Sequence, residues 1–445
     1  LHDFIDSDIP VVAIYNNLET FYPFLSRAHD PQVLNRRRYH GDRALFWLGK
    51  RKLVITTAPI PMLDAMRERW GYTETCFLSP QNASPHLSVD ILNNAALLTT
   101  LVDYAGPSKT LQIIPYATTA QFLRLAQILR ERYGLTILLP ESPAPDKLWL
   151  RDYVDSKAGF RTLVAQWLAQ ASGTHQPRLS DGIICQNVAT ASGAAGWFTS
   201  QGKQCIAKAD RGESGLGQLI LGRDTSGHNF NLLAEDDFLG PDLILVEEYI
   251  HSTDMLSPSI EFFVPPPELG EPHITHVANQ IFRNLTQFCG ALISQEFKDA
   301  PWFSPLAETG LMFARHLQEM GYIGHFDLDT VIDDRGKIYL LEINARRTGS
   351  TFIHEFGKFA LGPNYLDRAV LLSNTLSGGA IRDAEELFHV LDDLLYPGGP
   401  SSGGVVISNP SALPFHEFGC IIIASSSQEA LRLQQEVVER IECIH

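Results

Sequence analysis

Short apolar runs alternate with amphipathic stretches over residues 1–145. IPVVAIY (9–15), KLVITTAP (52–59), LQIIPYA (111–117) and LTILLP (135–140) read as buried strands. PMLDAMRERW (61–70) and TAQFLRLAQILRERYG (119–134) read as helices. In the second, Phe122, Leu123, Ala126, Leu129 and Arg130 follow the i, i+3, i+4, i+7 spacing, and Gly134 supplies a stop signal. Strands alternating with helices predict an open α/β sheet.

A Pro-rich joint, PESPAPDK (140–147), follows. SKAGFRTLVAQWLAQ (156–170) reads as a helix with Ser156 as N-cap. The strand KQCIAKA (203–209) runs into the Gly-rich stretch RGESGLG (211–217) and on to QLIL. DLILVEEYI (242–250) is a buried strand with a polar end, and LAETGLMFARHLQEMG (306–321) is a helix. FDLDTVIDDRGKIYLLEIN (326–344) reads as a hairpin, and PGGPSSGG (397–404) as a flexible joint. The last 40 residues give two strands and a helix, whose Ser426 and Glu429 fit a capping box. The expected division is 1–145, 146–255, 256–396 and 397–445, the last as a β/α tail packed on the rest.

Composition narrows the function. The 445 residues exceed one ordinary core, and 44% hydrophobic with 19% charged residues fits a soluble globular chain. A formal charge of −16 argues against a nucleic-acid partner. No apolar run reaches the roughly 18 residues of a membrane span. The six cysteines form no CxxC pair, which suits a reducing cytoplasm. The numbering opens on Leu1, so the N-terminus carries no information about a leader. There is no HExxH spacing and no GxSxG elbow.

The densest chemistry lies in KIYLLEINARRTGST (337–351). Strand side chains alternate, so Glu342, Asn344 and Arg346 share one face. A hairpin turning at DDRG (333–336) sets Asp329 diagonally near Glu342 on that face, with Asp327 as a further acid behind it. Asp329, Glu342 and Asn344 form a hard oxygen set suited to Mg²⁺. Arg346 and Arg347 stand just beyond, placed to neutralise a phosphoryl group or to grip a carboxylate. The competing reading is an edge hairpin with a solvated face and ordinary salt bridges.

Lys208 lies between Ala207 and Ala209 in an apolar strand, and a buried lysine needs an anion such as a nucleotide phosphate. The glycines after it let backbone N–H groups approach phosphate oxygens, although RGESGLG lacks the P-loop order and equally suits a hairpin turn. The end of LILVEEYI can present the main chain of Glu247, Tyr249 and Ile250 to an adenine edge. A strand merely reaching the surface explains it as well.

In this order the pieces resemble an ATP-grasp ligase: an α/β pre-domain, Lys157 near a helix start, Lys208 with its Gly-rich loop, the VEEYI hinge and an acid–hairpin–ExN unit. A closer resemblance is to the pheganomycin-type peptide ligases. It is carried by LWLRDYVDSKAGFR (148–161), ADRGESGLG (209–217), SPSIEFFVPP (257–266), THVANQIF (275–282) and GHFDLDTV…LLEINARRTGST (324–351). The resemblance implies a pre-ATP-grasp domain over 1–145 and a two-lobed ATP-grasp domain beyond it. Lys157 and Lys208 would bind ATP phosphates, under a loop containing Gly212, Ser214, Gly215 and Gly217. Glu247, Tyr249 and Ile250 would read adenine, and Asp329, Glu342 and Asn344 would hold Mg²⁺. Arg346 would stabilise an acyl phosphate. His276 and Gln280 fall in substrate-lining segments, although a lone His is more often structural. Ser350 lies in the run from Arg347 to Phe352, where the chain departs from those relatives and where substrate choice is expected to be written.

The implied activity is ATP-dependent joining of an amino-acid-like carboxylate to the amine of an amino acid or peptide, by a cytoplasmic enzyme for which a homodimer is an admissible assembly. Two rivals are a phosphotransferase acting on a hydroxyl and a silent nucleotide-binding regulator.

Overall fold

The computed structural model describes residues 4–169, 176–222, 231–240, 242–399 and 403–444. Gln170 of the expected 156–170 helix and residues 400–402 of the expected joint lie outside them.

The first 140 residues build a five-stranded parallel sheet from β1 (Val11–Ile14), β2 (Leu53–Ile55), β3 (Cys76–Leu78), β4 (Thr110–Pro115) and β5 (Thr136–Leu138), in the order β3-β2-β1-β4-β5. The expected strands form here, and the helix Ala120–Tyr133 stops at a left-handed Gly134. β3 escaped the pattern because it has three residues and none of them is buried. Helices cover the sheet because its strands are apolar on both faces. Asn16, just past β1, ties its neighbour β4 at the carboxyl end. It donates to the Ala117 carbonyl (2.9 Å) and accepts from the Tyr116 N–H (3.0 Å).

A two-residue strand, β6 (Arg178–Leu179), precedes a four-stranded antiparallel sheet of β7 (Gly182–Cys185), β8 (Cys205–Ala209), β9 (Gln218–Leu221) and β10 (Ile244–Glu248), ordered β7-β10-β8-β9. The helix Lys157–Leu168 leads into this region. Ser156 caps it by accepting the Gly159 N–H at 3.1 Å.

The third sheet has nine strands: β11 (Pro258–Val264), β12 (His273–Arg283), β13 (Gln287–Ile293), β14 (Gly324–Ile332), β15 (Ile338–Asn344), β16 (Val370–Ser377), β17 (Gly404–Asn409), β18 (Glu417–Ala424) and the distant β6. Their order is β17-β18-β16-β13-β12-β11-β14-β15-β6. The last two strands of the chain therefore form one edge of the largest sheet, paired through β16. The closing helix Ser427–Glu442 starts as expected, with Ser426 accepting the Glu429 N–H (3.2 Å). The Glu429 carboxylate reaches back one residue further than a capping box requires. It binds the Ser425 N–H and hydroxyl, two donors where Ser426 would offer one.

The first and third units meet at one buried clamp. After β15 the chain makes Arg346 and Arg347, and alternation turns the second away from the first. Arg347 is 2% exposed. Its Nε and Nη2 donate to the two oxygens of Glu141 at 2.8 and 2.6 Å, and its Nη1 donates to Glu355 at 3.0 Å. Its guanidinium lies 4.7 Å from the centroid of the Trp47 ring. Glu141 follows β5, Trp47 belongs to the first unit, and Glu355 sits on the helix Thr351–Leu361.

Removing one side of such a buried pair leaves an uncompensated charge. Glu141→Gln should lower unfolding stability by about 3 kcal/mol, read as a fall in the urea midpoint at unchanged slope. A loss under about 0.5 kcal/mol, the ordinary surface range, would refute the clamp.

Candidate functional site

The β14–β15 hairpin sets the chemistry. Its turn is wider than a four-residue turn at 333–336. The Asp333 carboxylate accepts the Arg335 and Lys337 N–H groups (3.0 and 2.8 Å), and Gly336 takes φ +76. A β-bulge between Asp329 and Thr330 then skips Leu341. The two irregularities shift the register by two residues, which preserves the face. Asp329 therefore stands directly opposite Glu342, not diagonal to it, and Asp327 stands opposite Asn344.

Three acids are crowded as a result. Burial, and next the facing Glu342, push the Asp329 carboxyl up to about 7. Burial and then Asp329 push Asp327 well above the usual carboxylate range. For Glu342 burial acts upward too, but Lys157 and Lys208 outweigh it and hold the group low. Lys157 Nζ lies 3.0 Å from Glu342 Oε2, and Asn344 Nδ2 donates to Asp329 Oδ2 at 2.9 Å. The Oδ1 atoms of Asp327 and Asp329 are buried without a hydrogen-bond partner among the described residues. Unsatisfied hard oxygens on like-charged acids fit a divalent cation. No group of three or more Asp, Glu, His or Cys is arranged around a metal position among the described residues. A cation would thus rest on Asp329, Glu342 and Asn344 with oxygens from elsewhere, the sparse ligation typical of Mg²⁺.

The acids line a cavity of about 720 Å³ to which all three units contribute residues. On one side lie Lys157, Lys208 and the loop containing Gly212, Ser214 and Gly215. Lys157 is the first residue of its helix, whose opening is fixed by Asp210. The Lys157 and Ala158 N–H groups donate to the Asp210 carbonyl and carboxylate, each at 2.8 Å. Lys208 already has an anion, because it is ion-paired with Glu247. Glu247 also accepts from Ser180 Oγ (3.0 Å) and from Arg161 (3.3 Å). Glu247 thus enters as a side chain that steadies the lysine, not only through its main chain as the strand pattern implied. Arg161 joins the cluster through Glu247. Gly215 (φ +85) packs so closely on the β12–β13 turn that a Cβ would lie 2.2 Å from the Thr286 carbonyl oxygen. Gly217 (φ +70) seats the loop end on Ala209 and Phe238.

At the far end, Tyr249 and Ile250 line the cavity. The Tyr249 N–H is taken by the Gln204 carbonyl (3.0 Å), whereas the Ile250 N–H has no partner among the described residues. Only the second can read an adenine edge as a donor. Arg346 faces the cavity, 3.9 Å from Asp155 and 5.0 Å above the Phe21 ring. Its Nε has no hydrogen-bond partner among the described residues. Arg347 does not face the cavity. Pairing it with Arg346 as a phosphoryl contact was mistaken, because strand alternation sends it into the clamp. Gln280 and Ser350 line the cavity. His276 is not among the residues that line it. It is buried, stacked on His354 at 4.7 Å and hydrogen-bonded to Thr275 at 3.0 Å, with its Nε2 unpartnered among the described residues.

Sequence reading missed Glu261. It lies on β11 between Ile260 and Phe262 and accepts from Thr348 Oγ1 (2.8 Å), Thr351 Oγ1 (2.6 Å) and the His325 ring (2.9 Å). It thereby anchors the segment after Arg347 that lines the cavity. The visible signal was a single acid inside an apolar run, SIEFFV.

No family model and no curated protein sequence matches the chain. Solved structures do. An ADP complex of an N5-carboxyaminoimidazole ribonucleotide synthetase aligns at TM-score 0.56 and 12% identity, over 98% of each chain. The biotin carboxylase domain dimer of Hydrogenobacter thermophilus 2-oxoglutarate carboxylase, with MgADP, ADP and bicarbonate, aligns at 0.56 and 13%, over 97% of this chain and 90% of that one. The Aspergillus clavatus N5-carboxyaminoimidazole synthase, with ADP and 5-aminoimidazole ribonucleotide, aligns at 0.53 and 10%, over 98% and 99%. The likeness is one of fold, and the fold of this chain is the expected ATP-grasp fold.

Burial works to raise the Glu261 carboxyl, but His276, His325 and Thr351 hold it down to about 2 from an ordinary 4.5. A depressed carboxyl contributes stability fully above its unfolded value and loses it as pH falls through the folded one. Glu261→Gln should therefore cost on the order of 3 kcal/mol at pH 7, and the gap from wild type should close between about pH 4.5 and 2. A gap that stays constant in unfolding titrations across that window would contradict the assignment.

Proposed function

We propose that this protein is an ATP-dependent carboxylate–amine ligase that forms an amide bond through an acyl phosphate and releases ADP and phosphate. Its substrates on this reading are amino-acid-like or peptide molecules of specialised metabolism, in keeping with the resemblance to the pheganomycin-type peptide ligases. The observation that carries the reading is the facing pair Asp329–Glu342, set among Lys157, Lys208 and Arg346 on one cavity. ATP or ADP in the similarly folded synthetases and carboxylases supports it, as does the MgADP of one of them. So does the resemblance of SPSIEFFVPP and LLEINARRTGST.

Asp329, Glu342 and Asn344 would hold Mg²⁺. The ion supplies positive charge against the phosphate oxygens and aligns them for transfer. Lys157 and Lys208 bind phosphate oxygens beneath the loop at Gly212–Gly217, and Tyr249 and Ile250 border the base. A carboxylate oxygen of the acyl substrate attacks the γ-phosphorus, and the bond to the ADP oxygen breaks. Arg346 offsets the charge that develops on the transferring group. The acceptor amine then attacks the acyl carbon, phosphate leaves, and the amine gives up a proton. The Gly-rich loop keeps water from the acyl phosphate. No enzyme nucleophile takes part. Gln280 and Ser350 border the substrate end. The same reading places the enzyme in the cytoplasm and admits a homodimer, the arrangement of the carboxylase domain above.

Hydroxylamine traps acyl phosphates. With ATP, Mg²⁺ and a matrix of amino acids and small peptides, hydroxamate should appear in step with ADP. A stable phosphate ester in its place would make the protein a phosphotransferase, and ATP binding with no turnover for any pair would make it a silent binder. Glu342→Gln should keep the circular dichroism of wild type and lose at least about 100-fold in Mg²⁺-dependent turnover, the scale of a lost charge-stabilising contact. Near-normal turnover at limiting Mg²⁺ would remove Glu342 from the set.

A further inference from the structure

The cavity has a second basic region that the phosphoryl chemistry does not use. It comes from the first unit, where the helix Pro31–Arg37 runs into the turn Gly41–Phe46, and it brings Arg36, Arg37, His40 and Arg43 to the cavity wall. The chain as a whole carries −16, so this concentration of positive charge runs against its average.

The balance of partners shows what the wall lacks. Three acids also line this side, and two of them are ion-paired. Glu213 of the Gly-rich loop pairs with Arg37 Nε (3.1 Å), Glu417 pairs with Arg283 (2.6 Å), and Asp30 accepts the Gln32 N–H (2.9 Å). Arg36 and Arg43 have no ion pair and no side-chain hydrogen bond among the described residues. Their guanidinium groups rest on rings, Arg36 at 5.9 Å from Phe415 and Arg43 at 5.4 Å from Phe352. The Arg43 Nε is buried and unpartnered. Arg37 Nη1 lies 3.4 Å from His40 Nδ1. Burial first, then Arg37 and Arg43, keep His40 well below its ordinary value, so the imidazole adds no positive charge of its own.

The segment is held in place. Arg38 donates to the Ala83 carbonyl (2.7 Å), the Thr57 hydroxyl donates to the Arg38 carbonyl (2.7 Å), and the Asp42 carboxylate accepts the Ser411 N–H and hydroxyl (2.9 and 2.8 Å). It shares the cavity with the reacting end, where Tyr116 and Arg346 also line the wall.

We infer that the acid activated in this cavity carries a second anionic group, a carboxylate or a phosphate, held by Arg43 with Arg36 and Arg37. The inference rests on the ligase reading for which end is activated. A planar guanidinium fixed over a ring and lacking a carboxylate is pre-organised for bidentate capture of such a group. The substrate class follows: a small acid whose reactive carboxylate points to Arg346 and whose anionic tail points to Arg43.

The test measures binding apart from turnover. Wild-type protein with MgADP is titrated by calorimetry with α,ω-dicarboxylic acids of three to eight carbons, with the matching ω-phosphonates, and with the ω-monoamide of each diacid. At least one dianion should bind tenfold or more tighter than its own monoamide, the scale of one charge-assisted pair. The preferred series tells carboxylate from phosphate. Arg43→Gln should erase that preference and leave the monoamide affinity in place. If Arg43→Gln fails to fold, the exposed Arg36→Gln should weaken the preference and Arg43→Lys should retain only part of it. Equal affinity for dianion and monoamide at every length would overturn the inference, as would a preference that survives both Arg43→Gln and Arg36→Gln. Hydroxamate is scored separately. A preferred dianion that binds but never yields hydroxamate would sink the ligase reading and leave the anion site standing. Hydroxamate from neutral-tailed acids with no dianion preference would do the reverse.

Discussion

The cavity depends on the direction in which Arg347 points. Its guanidinium is buried between Glu141 and Glu355 and over Trp47, so one side chain fastens the parallel sheet, the loop after β15 and the helix that follows. A buried ion pair is weak evidence for net stability, since desolvation offsets much of its attraction. Its value here is positional. With Arg347 fixed on one side of the strand end, Arg346 is delivered to the other, where it meets the cavity. Glu261 fastens the next few residues through Thr348 and Thr351. The floor of the site is thus held from behind by charges that never touch it.

In front of that floor the electrostatics are deliberately unbalanced. Glu342 raises the proton affinity of Asp329, and Asp329 that of Asp327, while Lys157 and Lys208 hold Glu342 low. On the proposed function, lysines already engaged with Glu342 and Glu247 would not desolvate afresh to meet a phosphate; they would change partners. Exchange of partners within a preformed charge cluster is less costly than assembly of one from water.

Much of this was legible in the chain. The β1, β2, β4 and β5 runs, the Ser156 and Ser426 caps and the β14–β15 hairpin follow from local pattern, because each is decided by residues close in sequence. Lys157, Lys208, Asp329, Glu342 and Asn344 as neighbours of one cavity come from the family resemblance, not from local pattern. What failed was non-local or register-dependent. The direct facing of Asp329 and Glu342 needs a wider turn and a bulge that no apolar pattern announces. Arg347 was misread by adjacency to Arg346, although strand alternation separates them. Glu261 is invisible until Thr348, Thr351 and His325 are brought from up to 90 residues away. β17 and β18 read as a tail, and only their pairing with β16 shows them as sheet edge.

The hairpin also carries a constraint on how its length can vary. Its long turn and its bulge each displace one residue, and only their sum returns Glu342 and Asn344 to the face of Asp329 and Asp327. A lone insertion or deletion at either place would turn the carboxylates to opposite sides of the sheet. Loops elsewhere on the surface tolerate such changes freely. Here the two irregularities are bound as a pair, and a one-residue change in the turn keeps the shared face only with a second one-residue change near Leu341.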